Sequence, residues 1–232
     1  GNPGSAKTTV ARLTAKILAE ENIIPKSLFI ECGRANLVGK YVGWTADIVK
    51  KFFREAQGGV LFIDEAYALV EDHHSYGDEA INTIVQEMEN KRESVIVILA
   101  GYPDKMKKLL DRNEGLRSRI AFHVDFPDDT PEELGEILDL MCEERGYQLT
   151  DASREKCASI FEAAVKTPNF GNGRFVRNLL EQATLRQAKR LMETDANIEK
   201  EQGLLLLPED FETLAIPSPT ENRIGFCPAK GF

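Results

Sequence analysis

The chain of 232 residues is poor in cysteine, histidine and tryptophan, with four, three and one respectively. Cys32, Cys142, Cys157 and Cys227 are scattered without C-x-x-C spacing. Neither a zinc site nor a disulfide framework is indicated, and a reducing cytoplasmic setting is expected. His73 and His74 adjoin in a polar loop with no third ligand at useful spacing, which reads as a solvated loop rather than a metal site. No apolar run is long enough to span a bilayer, the stretch around Leu204 to Leu207 being far too short, so no membrane role is expected. Basic charge is also scarce, since 29 Lys and Arg stand against 38 Asp and Glu for a formal net charge of −9. That balance argues against a protein whose main task is wrapping nucleic acid or coating an anionic membrane. The length allows one large domain or two small ones, each with its own core.

What is present begins at the first residue. Gly1-Asn2-Pro3-Gly4-Ser5-Ala6-Lys7-Thr8-Thr9 reads as a phosphate-binding loop feeding directly into a helix. Glycine at 1 and 4 lets the backbone turn tightly and aim N–H groups inward, Lys7 supplies a cation for terminal phosphates, and the Thr8 hydroxyl is placed to ligate Mg²⁺. The helix that follows adds its positive end. One position departs from the G-x-x-x-x-G-K-[ST] pattern, because Ala6 stands where glycine is usual. The loop therefore predicts a Cβ in a position that often needs unusual backbone angles. Such a loop normally follows a buried strand, and here none precedes it. The expectation is a fragment of a longer gene product lacking a central strand, poorly folded or inactive alone.

Further along, Gly58-Gly59 precedes Val60-Leu61-Phe62-Ile63-Asp64-Glu65, an apolar run ending in two adjacent carboxylates. The run fits a parallel strand buried on both faces, and ligands of open α/β sheets collect at the carboxyl ends of strands. Paired acids there form the Walker B pattern, in which Asp64 holds the water shell of Mg²⁺ and Glu65 orients and deprotonates the attacking water. Ser27 to Glu31, Val95 to Ala100 and the alternating Phe122 to Phe126 read as further strands. Helices are predicted over about 8–20, 46–56, 78–90 and 104–110. From about Thr130 only helical periodicity remains, as in Leu134, Ile137, Leu138 and Met141. The expected organisation is an α/β core over 1–128, a small all-helical domain over 129–214, and a proline-bearing tail over 215–232.

Gly-Asn-Pro-Gly at 1 to 4 with Lys7-Thr8-Thr9, Gly58 to Tyr67, Ile98-Leu99-Ala100-Gly101-Tyr102 and Arg117-Ser118-Arg119-Ile120 together resemble the AAA+ ATPases. Within them they are similar to the branch of the red-type Rubisco activases and stage V sporulation protein K. The resemblance implies a P-loop NTPase parallel-sheet core with a helical lid, ATP and Mg²⁺ as ligands, and a homo-oligomer, a ring taken as hexameric. Gly1 to Thr9 would cradle ATP and Thr8 and Asp64 would hold the metal ion. Arg174, in Gly171-Asn172-Gly173-Arg174-Phe175, resembles the sensor-2 arginine that touches the phosphates. Arg119, with Arg117 as the alternative, resembles the arginine finger that enters the neighbouring subunit's site.

Tyr41-Val42-Gly43 resembles the pore loop that grips a polypeptide, the alternative being that Tyr41 and Trp44 belong to the core; Glu71 to Gly77 would lie near the same pore. Where many relatives carry a polar sensor-1 residue after the Ala100 strand, this chain has Gly101-Tyr102. The implied activity is ATP-driven remodelling of a client protein. Two other readings stand beside it: a nucleotide-gated binding switch or scaffold, and a nucleic-acid motor, against which the acidic balance weighs.

Overall fold

The structure is a computed structural model, and it describes residues 1–39, 41, 43–71, 75–168, 170–193 and 202–212. Val42, the His73–His74 pair, Cys227 and the expected tail over 215–232 lie outside the described residues. Two compact units are present, one formed by Gly1–Leu134 with Ala164–Phe175, the other by Gly135–Ala163 with the residues from Val176 onward.

In the first unit, helix α1 (Lys7–Glu20) follows the glycine-rich loop and leads to strand β1 (Phe29–Cys32). Helices α2 (Arg34–Leu37) and α3 (Trp44–Glu55) cross to β2 (Gly59–Ile63), and α4 (Ala68–Glu71) with α5 (Ser75–Asn90) cross to β3 (Val95–Leu99). The three strands are parallel in the order β1-β2-β3, with Ile30 paired to Leu61 and Leu61 to Val97. Their carboxyl ends therefore meet along one edge, at Cys32, Ile63 and Leu99.

Strand β2 sits in the middle because it is apolar on both faces. Val60, Leu61, Phe62 and Ile63 are all fully buried. The period of two sends Val60 and Phe62 toward Ala15 and Ala11 of α1, and Leu61 and Ile63 toward Val49 and Phe53 of α3 and Ile81 and Ile84 of α5. Each such side chain contributes about 1.5–3 kcal/mol by leaving water. Alanine at the contact positions of α1 lets that helix lie close to the sheet, which fixes the place from which the glycine-rich loop departs.

After β3 come α6 (Pro103–Arg112) and α7 (Glu114–Arg117). The strand expected at Phe122–Phe126 is not formed. That segment carries no ladder, and Phe122 and Val124 are 88% and 73% exposed. Alternation of apolar residues specifies two faces but not a hydrogen-bonding partner, and among the described residues no strand lies alongside this one.

The later part of the chain contains α8 (Pro131–Arg145), β4 (Gln148–Leu149), α9 (Asp151–Ala164), α10 (Asn172–Glu193) and β5 (Leu205–Leu206). The expectation of helices alone is corrected here by β4 and β5, which pair in parallel. Two residues a strand are too few to leave a periodic signal. In the second unit Leu138, Cys142, Cys157, Phe161, Leu179, Leu180 and Leu206 are buried. Ser153 Oγ donates to the Leu206 carbonyl at 2.8 Å, and the buried Asp210 accepts from Arg190 at 2.8 Å. Burial pushes the Cys142 and Cys157 thiols up to about 11 and about 12, so both act as small core hydrophobes.

Candidate nucleotide site

The loop from Gly1 to Ala6 is shaped by left-handed backbone at two points. Gly4 has φ 75° and Ala6 φ 55°. A Cβ at Gly4 would run into the Gly171 carbonyl oxygen, so only glycine fits there. Ala6 stands immediately before α1 in the left-handed region that its Cβ disfavours, as its departure from glycine predicts.

Lys7 folds back across this loop. Its Nζ donates to the carbonyl oxygens of Gly1 at 2.9 Å and Asn2 at 2.6 Å, and lies 3.3 Å from Ser5 Oγ. Ser5 Oγ in turn donates to the Asn2 carbonyl at 2.8 Å. Partial burial lowers the Lys7 ammonium pKa, the negative charges of Asp64 and Glu65 raise it, and Arg174 lowers it further. Lys7, Asp64, Glu65 and Arg174 thus share one electrostatic neighbourhood. Thr8 is half-buried and Thr9 exposed in the first turn of α1.

Asp64 extends β2 by one hydrogen bond, its N–H donating to the Cys32 carbonyl at 2.9 Å. The chain then turns sharply. Glu65 has φ 48°, left-handed for a residue with a side chain, and its N–H donates to Asp64 Oδ1 at 3.0 Å. The Ala66 N–H donates to the Ala100 carbonyl at 3.0 Å, which ties the turn to the end of β3. Strained backbone of this kind persists only where surrounding structure holds it. Its effect is to leave the Glu65 side chain exposed at the carboxyl edge of the sheet.

Tyr102 lies beside the loop, its ring centroid 5.9 Å from Lys7 Nζ and 5.6 Å from the buried Tyr67 ring. Lys105 Nζ sits 4.5 Å from the Tyr67 centroid. Gly101 makes this close approach possible, since a Cβ there would lie 2.7 Å from both Tyr67 Cδ1 and Met106 Sδ.

A set of polar contacts that the sequence did not reveal closes around the other side of the loop. Asn2 Nδ2 donates to both carboxylate oxygens of Asp128 at 2.9 Å. The buried Asn172 donates to the Pro3 carbonyl at 3.1 Å and to Asp128 Oδ1 at 2.8 Å, and accepts from the Asp129 N–H at 2.8 Å. The Asp129 carboxyl pKa is raised by burial first and then by Glu133 and Asp128.

The remaining sequence candidates lie elsewhere. Arg119 is bonded to the Gly115 carbonyl at 3.0 Å and paired with Glu89 of α5 at 3.3 Å, and its buried Nε has no hydrogen-bond partner among the described residues. Arg117 is more exposed, with Asp111 4.0 Å away. Tyr41 and Trp44 are 61% and 57% exposed and meet edge to face at 4.9 Å, so neither belongs to the core. Gly43, φ 82°, stands immediately before α3, and Val42 between them is outside the described residues.

The residues fit a magnesium–triphosphate ligand. The loop carries one ammonium group, and its left-handed turns at Gly4 and Ala6 match a phosphate cradle. Among the described residues no group of three or more His, Cys, Asp or Glu side chains could hold a metal ion. Magnesium takes most of its ligands from phosphate oxygens and water, so the Thr8 hydroxyl and the Asp64 carboxylate would suffice to hold it here. No described helix is long and apolar enough to cross a membrane.

Comparison with known proteins agrees with this architecture. Residues 1–128 match the family described as ATPase family associated with various cellular activities (AAA), and residues 130–221 match the AAA lid domain. Protein CbxX, chromosomal, of Cupriavidus necator is 46% identical over 195 residues, covering 83% of this chain and 62% of that protein. The chloroplastic ribulose bisphosphate carboxylase/oxygenase activase of Cyanidioschyzon merolae is 46% identical over 196 residues, covering 84% of this chain and 67% of that protein. The chain thus spans somewhat under two thirds of the length of the CbxX relative. Among solved structures, the FIGL-1 AAA domain in complex with ADP aligns with a TM-score of 0.63 at 17% identity, covering 91% of this chain and 67% of that one. At that identity it attests to the fold alone. The chain belongs to the AAA ATPase family, in the branch that contains the CbxX, CfxQ and CbbX proteins and the red-type Rubisco activases.

Proposed function

We propose that the protein binds and hydrolyses Mg·ATP within a ring of identical subunits and uses the cycle to remodel a client protein. The observation that carries this reading is the glycine-rich loop itself, with left-handed turns at Gly4 and Ala6 and the Lys7 ammonium held across it, in the charge field of Asp64, Arg174 and Glu65. In it, residues Gly1 to Thr9 wrap the phosphates, Thr8 and Asp64 hold Mg²⁺, and Glu65 takes the proton of the attacking water. Arg174 touches the phosphates from the start of α10, and Arg119 of one subunit completes the site of the next, as an arginine supplied in trans does in other nucleoside triphosphatases. Residues 1–128 act as the core and 129–214 as the lid. The exposed Tyr41, with Val42 and Gly43, offers an aromatic grip on a polypeptide that depends little on its sequence. The relative from Cyanidioschyzon merolae is named for ribulose bisphosphate carboxylase/oxygenase, which makes that enzyme the first client to test. The expected setting is cytoplasmic.

The test is ATP turnover by the full-length protein, with and without Glu65→Gln, and by mixtures of wild type with Arg119→Ala. Turnover unchanged in both sinks the mechanism. A second reading, a nucleotide-gated binding switch, is favoured by Ala6, which stands in left-handed backbone where the phosphate-loop pattern usually has glycine, and by Gly101-Tyr102, where the wider AAA+ pattern often has a polar sensor. Slow single-turnover hydrolysis, with partner binding insensitive to Tyr41→Ala, would select it.

A further inference from the structure

Asn172 opens α10 with φ 45° and no solvent exposure. Two features of that position are unfavourable. A left-handed backbone is unfavourable for a residue with a Cβ, although asparagine tolerates it better than most. A buried amide is costly unless its donors and acceptor are used. Here they are used, on three different segments: the Pro3 carbonyl in the glycine-rich loop, the Asp128 carboxylate, and the Asp129 N–H. Asp128 then accepts both bonds from Asn2, so the contacts form a closed circuit through Asn2, Asp128, Asn172 and Pro3. On the same turn of α10, the Arg174 N–H donates to the Gly171 carbonyl at 2.9 Å, the carbonyl that leaves no room for a Cβ at Gly4.

We infer that Asn172 is a positioning residue for nucleotide binding: it fixes the arch from Gly1 to Gly4 in its receiving shape and sets the start of α10 so that Arg174 faces the arch. The inference rests on the proposed reading of that arch as the triphosphate cradle. The chemistry selects asparagine. Aspartate would keep the acceptor for the Asp129 N–H but set a second carboxylate against Asp128 and leave the Pro3 carbonyl without its donor. Glycine would accept the backbone angle but leave the Pro3 carbonyl and the Asp129 N–H without this partner, and Asp128 with Asn2 alone. Alanine fails on both counts. The residue reaches no reacting atom and acts only through the loop and Arg174.

The test uses the full-length protein with Glu65→Gln as the common background, so that turnover does not intrude. Affinity for Mg·ATP is titrated directly, and the rise in melting temperature on adding Mg·ATP is recorded. Asn172→Gly and Asn172→Asp are expected to weaken binding by about tenfold or more, the equivalent of one or two lost hydrogen bonds. The thermal shift should shrink in parallel. Asn172→Asp combined with Asp128→Asn restores a donor opposite an acceptor and is expected to recover part of the affinity, which a general loss of stability would not do. If the Asn172 variants do not fold, Asp128→Ala breaks the same circuit from its exposed end and is expected to weaken binding severalfold. Folded Asn172 variants, or Asp128→Ala in their place, that bind Mg·ATP within twofold of the background protein overturn the role assigned to Asn172. Failure of the background protein itself to bind Mg·ATP overturns the cradle reading instead, so the two failures are distinct.

Discussion

The guanidinium of Arg119 stands 3.3 Å from the carboxylate of Glu89, and its Nη1 donates to the carbonyl of Gly115. These partners lie on α5 and α7 of its own subunit rather than on the glycine-rich loop, and hold the side chain at 30% exposure. If Arg119 serves a neighbouring site, as proposed, these two contacts would hold it in a set direction. Arg119→Ala is expected to lower ATP turnover of the assembled protein by about a thousandfold. Arg117→Ala, at a more exposed side chain, should change it by less than about twofold. Steady-state ATPase assays on both variants, at concentrations that maintain assembly, check the contrast.

Lys7 gives a prediction with a definite sign in pH. Burial lowers its ammonium pKa from the ordinary 10.5, so in the nucleotide-free state the unfolded chain holds this proton more tightly than the folded one. Stability rises with pH wherever the unfolded state binds more protons. The contribution of Lys7 therefore becomes more favourable as pH climbs from the lowered folded value through 10.5. Urea unfolding of wild type and Lys7→Met at several alkaline pH values should show the difference moving in favour of wild type. Lys7→Met should also abolish measurable Mg·ATP binding.

Substitution of the two left-handed loop positions should act in opposite directions. Ala6→Gly removes a Cβ from a backbone with φ 55° and is expected to stabilise the protein by up to about 1 kcal/mol, read from the denaturation midpoint. Gly4→Ala drives a Cβ into the Gly171 carbonyl and should destabilise the first unit and abolish nucleotide binding.

Tyr41 is 61% exposed and leans on Trp44. Tyr41→Ala is expected to leave basal ATP turnover within about twofold of wild type, since an exposed side chain contributes little to stability. Client remodelling should be lost. Parallel assays of turnover and of client reactivation check whether the two separate.

Local chemistry makes much of the fold legible in the sequence. Strand β2 announced itself by four consecutive hydrophobes and two acids, because a central parallel strand is buried on both faces. The glycine-rich loop was equally plain, and Ala6 took the backbone angle that its departure from glycine implies. Phe122 to Phe126 misled because alternating residues describe a strand's faces and say nothing of the neighbour it needs. The β4–β5 pair was missed because two residues make no pattern. Asn172 was hidden for another reason: its partners Asp128 and Pro3 lie 44 and 169 residues away in the chain. No local motif encodes a contact between such distant segments, though an asparagine flanked by two glycines at a helix start was a clue to the left-handed turn.

The inward fold of Lys7 sets a threshold on what the loop will accept. The ammonium is bonded to the Gly1 and Asn2 carbonyls, with Ser5 Oγ close by. An incoming anion must exchange these contacts for its own oxygens, so the gain on binding is a difference and not a sum. A lone inorganic phosphate has few oxygens left to engage the rest of the arch once it has displaced them. On the proposed reading, a triphosphate would reach Lys7 while its other phosphates engage backbone N–H groups.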